Sequence, residues 1–377
     1  MNVAIEALGI DRPGGGRSAT LNLFRALFAL DQESRYVVFV SKAEQALSGY
    51  PNVRQVILGP LPALAARLWA QAVVPLYLKC WPVNLLHHVK NLTVAGAPCP
   101  SIVTVYDLTI LRHPDLYPAI DLWYWRNIQP RALHAATRVV AISQMTAQDL
   151  VQFYDLPTAS IDVIYPSCAP GFVSGASDPE RVRRRYGIVG NFVLHVGSIS
   201  RKKNLLTLLR AFQRLRWGGR ELKLVLVGRV YQKGQDRSLG QFLASTEFAR
   251  DVIFTGPVAD EDLSGLYRAA TVVAFPSLHE GFGIVPVEAM ACGAPLVASS
   301  GGALGEVVGT GGWLLKDARD DAELAAALER VMADPDLRSD LIKRARHRAA
   351  DFSPTRTAMD TLNLYRRVSL SAGLAEA

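Results

Sequence analysis

Cysteine is scarce in this sequence and follows no pattern. The four cysteines are Cys80, Cys99, Cys168 and Cys292. No two of them form a CxxC pair, which argues against the spacing typical of zinc sites and of disulfide frameworks. This cysteine usage is typical of a protein in a reducing compartment, and it offers no pattern for binding a metal.

A dense stripe of charge is also missing. Lysine and arginine number 41 against 34 aspartates and glutamates, a net charge of +7. A nucleic-acid-binding protein would carry a more concentrated basic face, so nucleic acid is not expected as a partner. A local cluster, Arg181 to Arg185, is interpreted either as a solvated helix face or as a contact with an anionic membrane surface.

Long hydrophobic runs are missing as well. The most apolar window, residues 61–86, is interrupted by Arg67, Pro75, Lys79 and Pro82, and is not expected to span a bilayer. It could instead lie on a membrane as an amphipathic helix, pack in the core or form a dimer surface. The first residues enter a strand pattern with no secretory signal. We therefore expect a cytoplasmic protein and leave a peripheral membrane contact open.

What the sequence does contain is an α/β rhythm long enough for two domains. Apolar β-branched runs alternate with helical patterns through both halves of the 377 residues. The halves are joined by a stretch rich in proline, glycine and serine, residues 166–179, which is typical of an interdomain linker. These patterns predict α/β domains over residues 1–170 and 171–355, followed by a C-terminal helical segment, 356–377.

Two places in the first half lie where an open α/β sheet binds ligands, at the carboxyl ends of strands. The loop Gly9 to Gly16 follows the strand pattern of residues 1–8 and precedes a helical pattern. Asp107 follows the strand pattern of residues 102–105. An aspartate in this position either takes part in the chemistry or serves as a turn residue that caps a helix.

A basic loop lies near the start of the second half. The strand pattern of residues 192–196 runs directly into it, and it contains Arg201, Lys202 and Lys203. Three neighbouring cations disfavour one another's charge, so they are either solvated or matched by an anion.

The most informative segment is HEGFGIVPVEAMACGAP, residues 279–295. An apolar strand pattern precedes it and helical spacing follows Gly283, which indicates a strand, a glycine turn and a helix. The free N–H groups at such a helix start form an anion site, here with Glu280 and Glu288 beside it. A helix dipole contributes only about 0.3–1 kcal/mol, so a diphosphate would also need a cation. The alternative is an ordinary tight turn with a solvated carboxylate.

The full pattern, with Pro276 and Ser277 before EGFG and EAMACG after it, closely resembles the donor-site signature of the family 4 retaining glycosyltransferases, which have the GT-B fold. The resemblance spans nearly the whole chain, from the glycine loop through Asp107 and Lys203 to Glu288. It implies two Rossmann-like, doubly wound domains that face each other across a cleft, with a last helix crossing back onto the first domain. A nucleoside-diphosphate sugar would be held mainly by the second domain.

The resemblance also implies roles for individual residues. The groups near the donor diphosphate would be Gly15, Gly16, Lys202, Lys203 and the backbone N–H groups of Gly281, Phe282, Gly283 and Ile284. Glu288 would accept the ribose hydroxyls, Glu280 would orient the transferred sugar, and the backbone at Val258 would contact the base. Asp107 is the candidate base on the acceptor side. Because cations already face the leaving group, no metal and no other cofactor are expected.

Two features depart from simple expectations. The family commonly has a histidine where this chain has Tyr106, which leaves open whether Tyr106 or His113 takes its place. Asp260 and Asp262 spell DxD, a metal-binding pattern in the other main glycosyltransferase fold. Here the pair precedes apolar residues at helical spacing, and we predict that it favours a helix N-terminus instead.

Three functions fit these patterns. The first is the transfer of a hexose from a nucleoside-diphosphate sugar, GDP-mannose among the candidates, to a glycan or lipid-linked glycan acceptor in polysaccharide biosynthesis. The second is a nucleotide-sugar epimerase with the same fold, and the third is a non-catalytic donor-binding subunit. The sequence does not indicate the base, the sugar, the acceptor, the linkage or the oligomeric state.

Overall fold

The computed structural model describes residues 1–11, 14–59, 63–89, 94, 96–175, 177–229 and 237–375. Two positions of the predicted glycine loop, 12 and 13, and the first two of the apolar window, 61 and 62, lie outside these ranges. The strands are β1 (Asn2–Glu6), β2 (Arg35–Val40), β3 (Val53–Ile57), β4 (Leu85–His88), β5 (Ser101–Val105), β6 (Arg138–Ala141), β7 (Ile161–Val163), β8 (Phe192–Val196), β9 (Lys223–Val227), β10 (Val252–Gly256), β11 (Val272–Phe275), β12 (Leu296–Ser299) and β13 (Trp313–Leu315).

The helices fall between the strands, as expected for parallel sheets that need crossover connections, except that the last three follow β13. They are α1 (Gly15–Leu30), α2 (Ala63–Cys80), α3 (Thr109–Arg112), α4 (Ala119–Asn127), α5 (Gln129–Ala135), α6 (Gln144–Tyr154), α7 (Pro170–Ser174), α8 (Pro179–Arg185), α9 (Leu205–Trp217), α10 (Arg237–Ser245), α11 (Asp260–Ala269), α12 (Ile284–Ala291), α13 (Leu304–Val308), α14 (Asp321–Ala333), α15 (Pro335–Ala349) and α16 (Pro354–Ala375). Short 3₁₀ turns link several of them.

One compact unit comprises residues 1–167 together with 353–377. Its seven strands are all parallel, in the order β3-β2-β1-β4-β5-β6-β7. Helix α16 packs against α1 and adds Tyr365 to this core. The Tyr365 hydroxyl lies 2.6 Å from Nδ1 of His87, whose Nε2 lies 2.8 Å from the Thr104 hydroxyl, so the buried imidazole is hydrogen-bonded at both nitrogens.

The other unit comprises residues 168–352, with six parallel strands in the order β10-β9-β8-β11-β12-β13. The chain leaves β8 toward β9 on one side, and β11 continues toward β12 on the other. The loops that follow β8 and β11 therefore lie next to each other at the carboxyl edge, where the strand order reverses. A doubly wound sheet places its ligands at this point.

Helix α2, within the apolar window, buries one face and exposes others. Ala70, Val74 and Leu78 are buried at helical spacing, whereas Trp69 and Leu76 are 50% and 61% exposed. Of the alternatives for this window, core packing therefore accounts for one face. No helix in the described parts of the chain is long and apolar enough to cross a bilayer.

The arginine cluster is not simply a solvated helix face. It forms α8, from which Arg181 and Arg185 reach Asp262 at 2.8 and 2.9 Å. Asp262 is buried in the first turn of α11, so the two arginines compensate its charge. That α11 begins at Asp260 confirms the prediction that the DxD pair opens a helix.

Candidate functional site

The loop after β8 presents Lys203 from a short 3₁₀ turn, residues 201–203. The aliphatic part of Lys203 lies beside Gly197, where an added Cβ would come within 3.2 Å of the lysine Cε. The ammonium group lies 4.7 Å from the ring centroid of Phe275, at the end of β11, a cation–π distance. Glycine at position 197 therefore leaves room for the lysine to cross toward β11.

Asn204 joins this loop to the end of β11. It adopts the left-handed conformation, φ 55°, in which asparagine is tolerated better than most residues, and α9 begins at the next residue. Its Nδ2 donates to the carbonyl oxygens of Pro276 at 3.1 Å and Ala318 at 2.5 Å. The backbone N–H of Leu278 also donates to the Lys202 carbonyl at 2.9 Å. The two loops are therefore held together before any ligand arrives.

Lys203 and Glu280 meet at the centre of these loops. Lys203 Nζ donates to Glu280 Oε1 at 2.6 Å, and Lys202 Nζ lies 3.8 Å from Oε2. Burial disfavours the charged carboxylate, but the two ammonium groups outweigh burial and lower the pKa of Glu280. Two ammonium groups thus contact the same carboxylate at this edge of the sheet.

The glycine turn follows directly. Gly283 has φ +102°, a conformation that favours glycine, and a Cβ there would lie 2.7 Å from Leu304 Cδ2 and displace that side chain. Helix α12 begins at the next residue, Ile284. The Glu280 carbonyl accepts from Ala303 N–H at 2.8 Å, which fixes the turn against the loop after β12. Gly281 and Phe282 are buried within this turn.

Glu288 lies one turn into α12 and is 6% exposed. Its Oε2 accepts a hydrogen bond from the hydroxyl of Tyr267, on α11, at 3.0 Å. Burial raises the pKa of Glu288 to about 8, although the bond from Tyr267 opposes this shift. The sequence pattern did not identify Tyr267, because a tyrosine at an apolar helical position is indistinguishable from a core residue until its partner is known.

In the first unit, Tyr106 contacts the predicted glycine loop at the start of α1. That helix begins at Gly15, so Gly15 and Gly16 form its first turn rather than the end of the preceding loop. The Tyr106 hydroxyl lies 2.7 Å from that of Thr20, which donates to the Gly16 carbonyl at 2.8 Å. The Thr20 hydroxyl therefore links Tyr106 to Gly16 in the first turn of α1.

Asp107 forms a turn in which its Oδ1 accepts from the Thr109 backbone N–H at 2.9 Å. This bond matches the turn-residue interpretation of Asp107 and occupies one carboxylate oxygen. His113 directly follows α3. In the second unit, Val258 lies between β10 and α11, two residues before the helix that carries Tyr267.

The predicted residues thus fall into two groups. The second unit contains those meant for the donor, and in it Lys202, Lys203 and Glu280 are in direct contact beside the start of α12. The first unit contains Asp107, Gly15 and Gly16. The sequence pattern missed Asn204 and Tyr267, which hold the loops and Glu288.

Comparison with known proteins gives consistent results in both halves. Residues 13–168 match the family model described as Glycosyltransferase Family 4, and residues 180–348 match Glycosyl transferases group 1. The D-inositol 3-phosphate glycosyltransferase of Salinispora arenicola is 36% identical over 244 residues, 61% of this chain and 54% of that protein. The chain thus spans about half of that relative. The O-antigen chain mannosyltransferase B of Escherichia coli is 28% identical over 286 residues, 75% of this chain and 74% of that one.

Solved structures resemble the whole chain. Anabaena Alr3699/HepE in complex with UDP has a TM-score of 0.78 at 22% identity and covers 97% of this chain and 100% of its own. Sucrose-phosphate synthase from Thermosynechococcus elongatus has a TM-score of 0.81 at 21% identity, covering 98% and 100%. At these identities the likeness shows the fold alone.

Proposed function

Because the chain belongs to the family 4 glycosyltransferases and has the GT-B fold, we propose that it transfers a hexose from a nucleoside-diphosphate sugar to a glycan or lipid-linked glycan, with retention of anomeric configuration. The observation that carries this proposal is the contact of Lys203 Nζ with Glu280 Oε1, at 2.6 Å, beside the start of α12. A cation, a carboxylate and a helix N-terminus within one edge of a sheet suit a sugar diphosphate.

The proposed chemistry follows from charge. Cleavage of the bond between the anomeric carbon and the phosphate develops negative charge on the leaving diphosphate, and preorganised donors aimed at it lower the barrier. Lys203, Lys202 and the backbone at the start of α12 are the proposed donors. Lys203 Nζ and Lys202 Nζ lie 2.6 and 3.8 Å from the Glu280 carboxylate, so two ammonium groups are proposed to face the diphosphate together. With these cations in place, the proposal needs no metal ion.

Three carboxylates take the other proposed roles. Glu280, which the two ammonium groups keep ionised, accepts a hydroxyl of the transferred sugar and orients its ring. Glu288 accepts the ribose hydroxyls from within α12, while the backbone at Val258 contacts the base. Asp107, in the first unit, is proposed as the base that receives the acceptor proton.

The names of relatives support a narrower proposal for the substrates. One relative is an O-antigen chain mannosyltransferase, which supports mannose as the sugar and a growing polysaccharide as the acceptor. Alr3699/HepE was solved with UDP and with UDP-glucose, which supports a nucleoside-diphosphate donor. We propose GDP-mannose as the first donor to test and UDP-glucose as the second.

A cytoplasmic location and a peripheral membrane contact complete the proposal. All four cysteines are free, which suits a reducing compartment. In the first unit, Trp69, Leu76, Ile120 and Trp123 expose half or more of their surface, and exposed tryptophan and aliphatic side chains of this kind bind membrane interfaces. Co-sedimentation with phosphatidylglycerol vesicles tests the contact, and loss of binding in Trp123→Ser would support it.

The function is tested by a thermal-shift screen followed by a transfer assay. We expect one nucleoside diphosphate to raise the melting temperature, since a ligand at 100 times its Kd adds about 2.7 kcal/mol of stability. The matching sugar nucleotide should then release free nucleoside diphosphate and give a product with the donor's anomeric configuration by NMR. Release of an isomerised sugar nucleotide would instead show an epimerase. Binding without release of nucleoside diphosphate would show a non-catalytic subunit.

A further inference from the structure

A fully buried tyrosine lies against the carboxylate of Glu288. Tyr267 is 0% exposed, and its hydroxyl donates to Glu288 Oε2 at 3.0 Å. Its ring packs edge-on against Phe172, with centroids 6.0 Å apart. Arg268, the next residue of α11, donates to the Phe172 carbonyl at 2.7 Å, so the packing partner is held from the same helix. The hydroxyl is therefore fixed in position by its surroundings.

The Glu288 carboxylate depends on Tyr267 for its hydrogen bonding. Within the described parts of the chain, the Tyr267 hydroxyl is the only hydrogen-bond donor to the Glu288 carboxylate. Among the described residues the structure shows no hydrogen bond to the second oxygen, Oε1, and 6% of the Glu288 surface is exposed. Burial raises the pKa of Tyr267 well above its usual value, so the phenol keeps its proton and remains a donor.

We propose that Tyr267 is a positioning residue of the donor site: it holds Oε2 of Glu288 so that Oε1 faces the ribose hydroxyls of the nucleotide. This inference rests on the proposed ribose role of Glu288. It adds the reason why the carboxylate is already oriented to accept hydrogen bonds from the ribose hydroxyls. A glutamate side chain has three rotatable bonds, and anchoring one oxygen removes the need to order them when the donor binds. The consequence is a preference for ribose over deoxyribose.

The experiment compares ribonucleotides with their 2′-deoxy forms by isothermal titration calorimetry, using UDP against dUDP and GDP against dGDP. In wild-type protein we expect the better ribonucleotide to bind roughly 10-fold more tightly than its deoxy form. In Tyr267→Phe we expect ribonucleotide affinity to fall roughly 3- to 10-fold and the preference to shrink below about 3-fold. The donor KM should rise with little change in kcat, because binding is lost uniformly.

Tyr186→Phe is the matched control. The Tyr186 hydroxyl also donates to a carboxylate of α11, Asp262, at the same 3.0 Å, but Asp262 keeps Arg181 and Arg185 as partners. This variant should keep the wild-type ribose preference. If Tyr267 has a merely structural role, Tyr267→Phe should weaken the binding of ribo- and deoxyribonucleotides equally. The ratio of the two affinities would then stay at its wild-type value, which would overturn the proposal.

Glu288→Ala separates the two levels of inference. If it abolishes the preference while Tyr267→Phe keeps it, the ribose role stands and the positioning role of Tyr267 is wrong. If wild-type protein shows no preference at all, the ribose role of Glu288 fails first.

Should Tyr267→Phe not fold, Glu288→Gln is the variant to measure instead. In that variant Tyr267 would donate to the amide oxygen, so the NH₂ group would face the ribose and the preference should be abolished. A wild-type preference in that variant would contradict a fixed carboxylate.

Discussion

At the residue scale, the notable feature is that the proposed catalytic cation already has a partner. Lys203 donates to Glu280, and its ammonium also lies over the ring of Phe275. These contacts orient the lysine before a donor arrives, which reduces the rearrangement that transition-state stabilisation would otherwise require. The same contacts keep Glu280 ionised, so a single ion pair prepares both groups.

Lys203→Ala is expected to lower the transfer rate roughly 10²- to 10³-fold, because it removes a donor to the leaving diphosphate. Steady-state kcat/KM measures the loss, and the fold should survive with a lower melting temperature, because the lysine side chain is only 15% exposed and compensates the buried carboxylate of Glu280. Lys223→Ala is the control, since Lys223 makes an ion pair of the same 2.6 Å length with Asp251 elsewhere in the same unit. Near wild-type turnover in Lys203→Ala would refute the leaving-group role.

Donor affinity is expected to rise with pH up to about 8 and then level off. Burial raises the pKa of Glu288 to about 8 in the free protein, and ribose hydroxyls favour the ionised form, so donor binding should release a proton. The titratable neighbours are Tyr267 and Asp260 on α11, Cys168 and Cys292. Calorimetric titration with a nucleoside-diphosphate sugar from pH 6.5 to 9 measures the slope, about tenfold per unit at most. An equally steep slope in Glu288→Gln would assign the proton to another group.

At this scale the sequence predicts residues within one motif better than partners across the fold. EGFG, the second glutamate and the basic loop are each local patterns, and the structure places Lys203 against Glu280. Asn204 and Ala318 lie 114 positions apart, and Tyr267 and Glu288 lie 21 apart on different helices. No periodicity links such pairs, because the contact exists only after the strands have aligned.

At the element scale, the loop after β8 depends on one residue with a left-handed backbone. Asn204→Gly keeps that conformation available but removes the hydrogen bonds to Pro276 and Ala318. We expect the transfer rate to fall by up to roughly 5- to 150-fold, since two bonds each contribute about 0.5–1.5 kcal/mol to holding the loop. Single-turnover kinetics with saturating donor measures this effect.

The matched control is Asp155→Gly, at the other non-glycine residue with positive φ in the described ranges. Asp155 directly follows α6 in the first unit and has φ 50°. The Asp155→Gly substitution introduces the same backbone freedom without loosening the loop that carries Lys203. If both variants lose activity equally, backbone entropy rather than the asparagine bonds is responsible.

Elements with strong patterns were predicted well, and short ones were not. β8 has the predicted bounds, residues 192–196, and the bounds of β1 and β5 differ by one or two residues from the predicted 1–8 and 102–105. The strand β13 was missed because three residues are too few to show alternation. The helix α4 was missed as well: it contains Ile120 and Trp123 but buries no residue, so its apolar positions do not mark a core-facing stripe.

At the scale of the whole molecule, the chain closes its first unit with its last helix. Tyr365, Leu362, Leu364 and Val368 of α16 are buried in the core formed with β1 and α1. At about 1.5–3 kcal/mol for each large side chain, their burial contributes about 6–12 kcal/mol. This is comparable to the roughly 5–15 kcal/mol by which an entire domain is stable.

A chain that ends at Phe352 is therefore expected to lose the cooperative unfolding of the first unit, while residues 168–352 keep theirs. Differential scanning calorimetry should show no cooperative transition for the first unit and a retained transition for residues 168–352. A chain that ends at Leu370, which keeps all four buried side chains, is the control and should unfold like the full chain. An unchanged thermogram for the shorter chain would show that α16 is dispensable to that core.

The sequence by itself determined the α/β class, the strand and helix alternation of both halves and the family signature, because each is set by local periodicity or by residues close together in the chain. Tertiary structure decided the order of the strands, and with it which loops meet. β8 and β11 are neighbours although 75 residues separate Val196 from Val272, and only that pairing brings Lys203 to Glu280. Hydrogen bonds between strands carry no sequence code for their partners, so the site follows from the sheet as a whole.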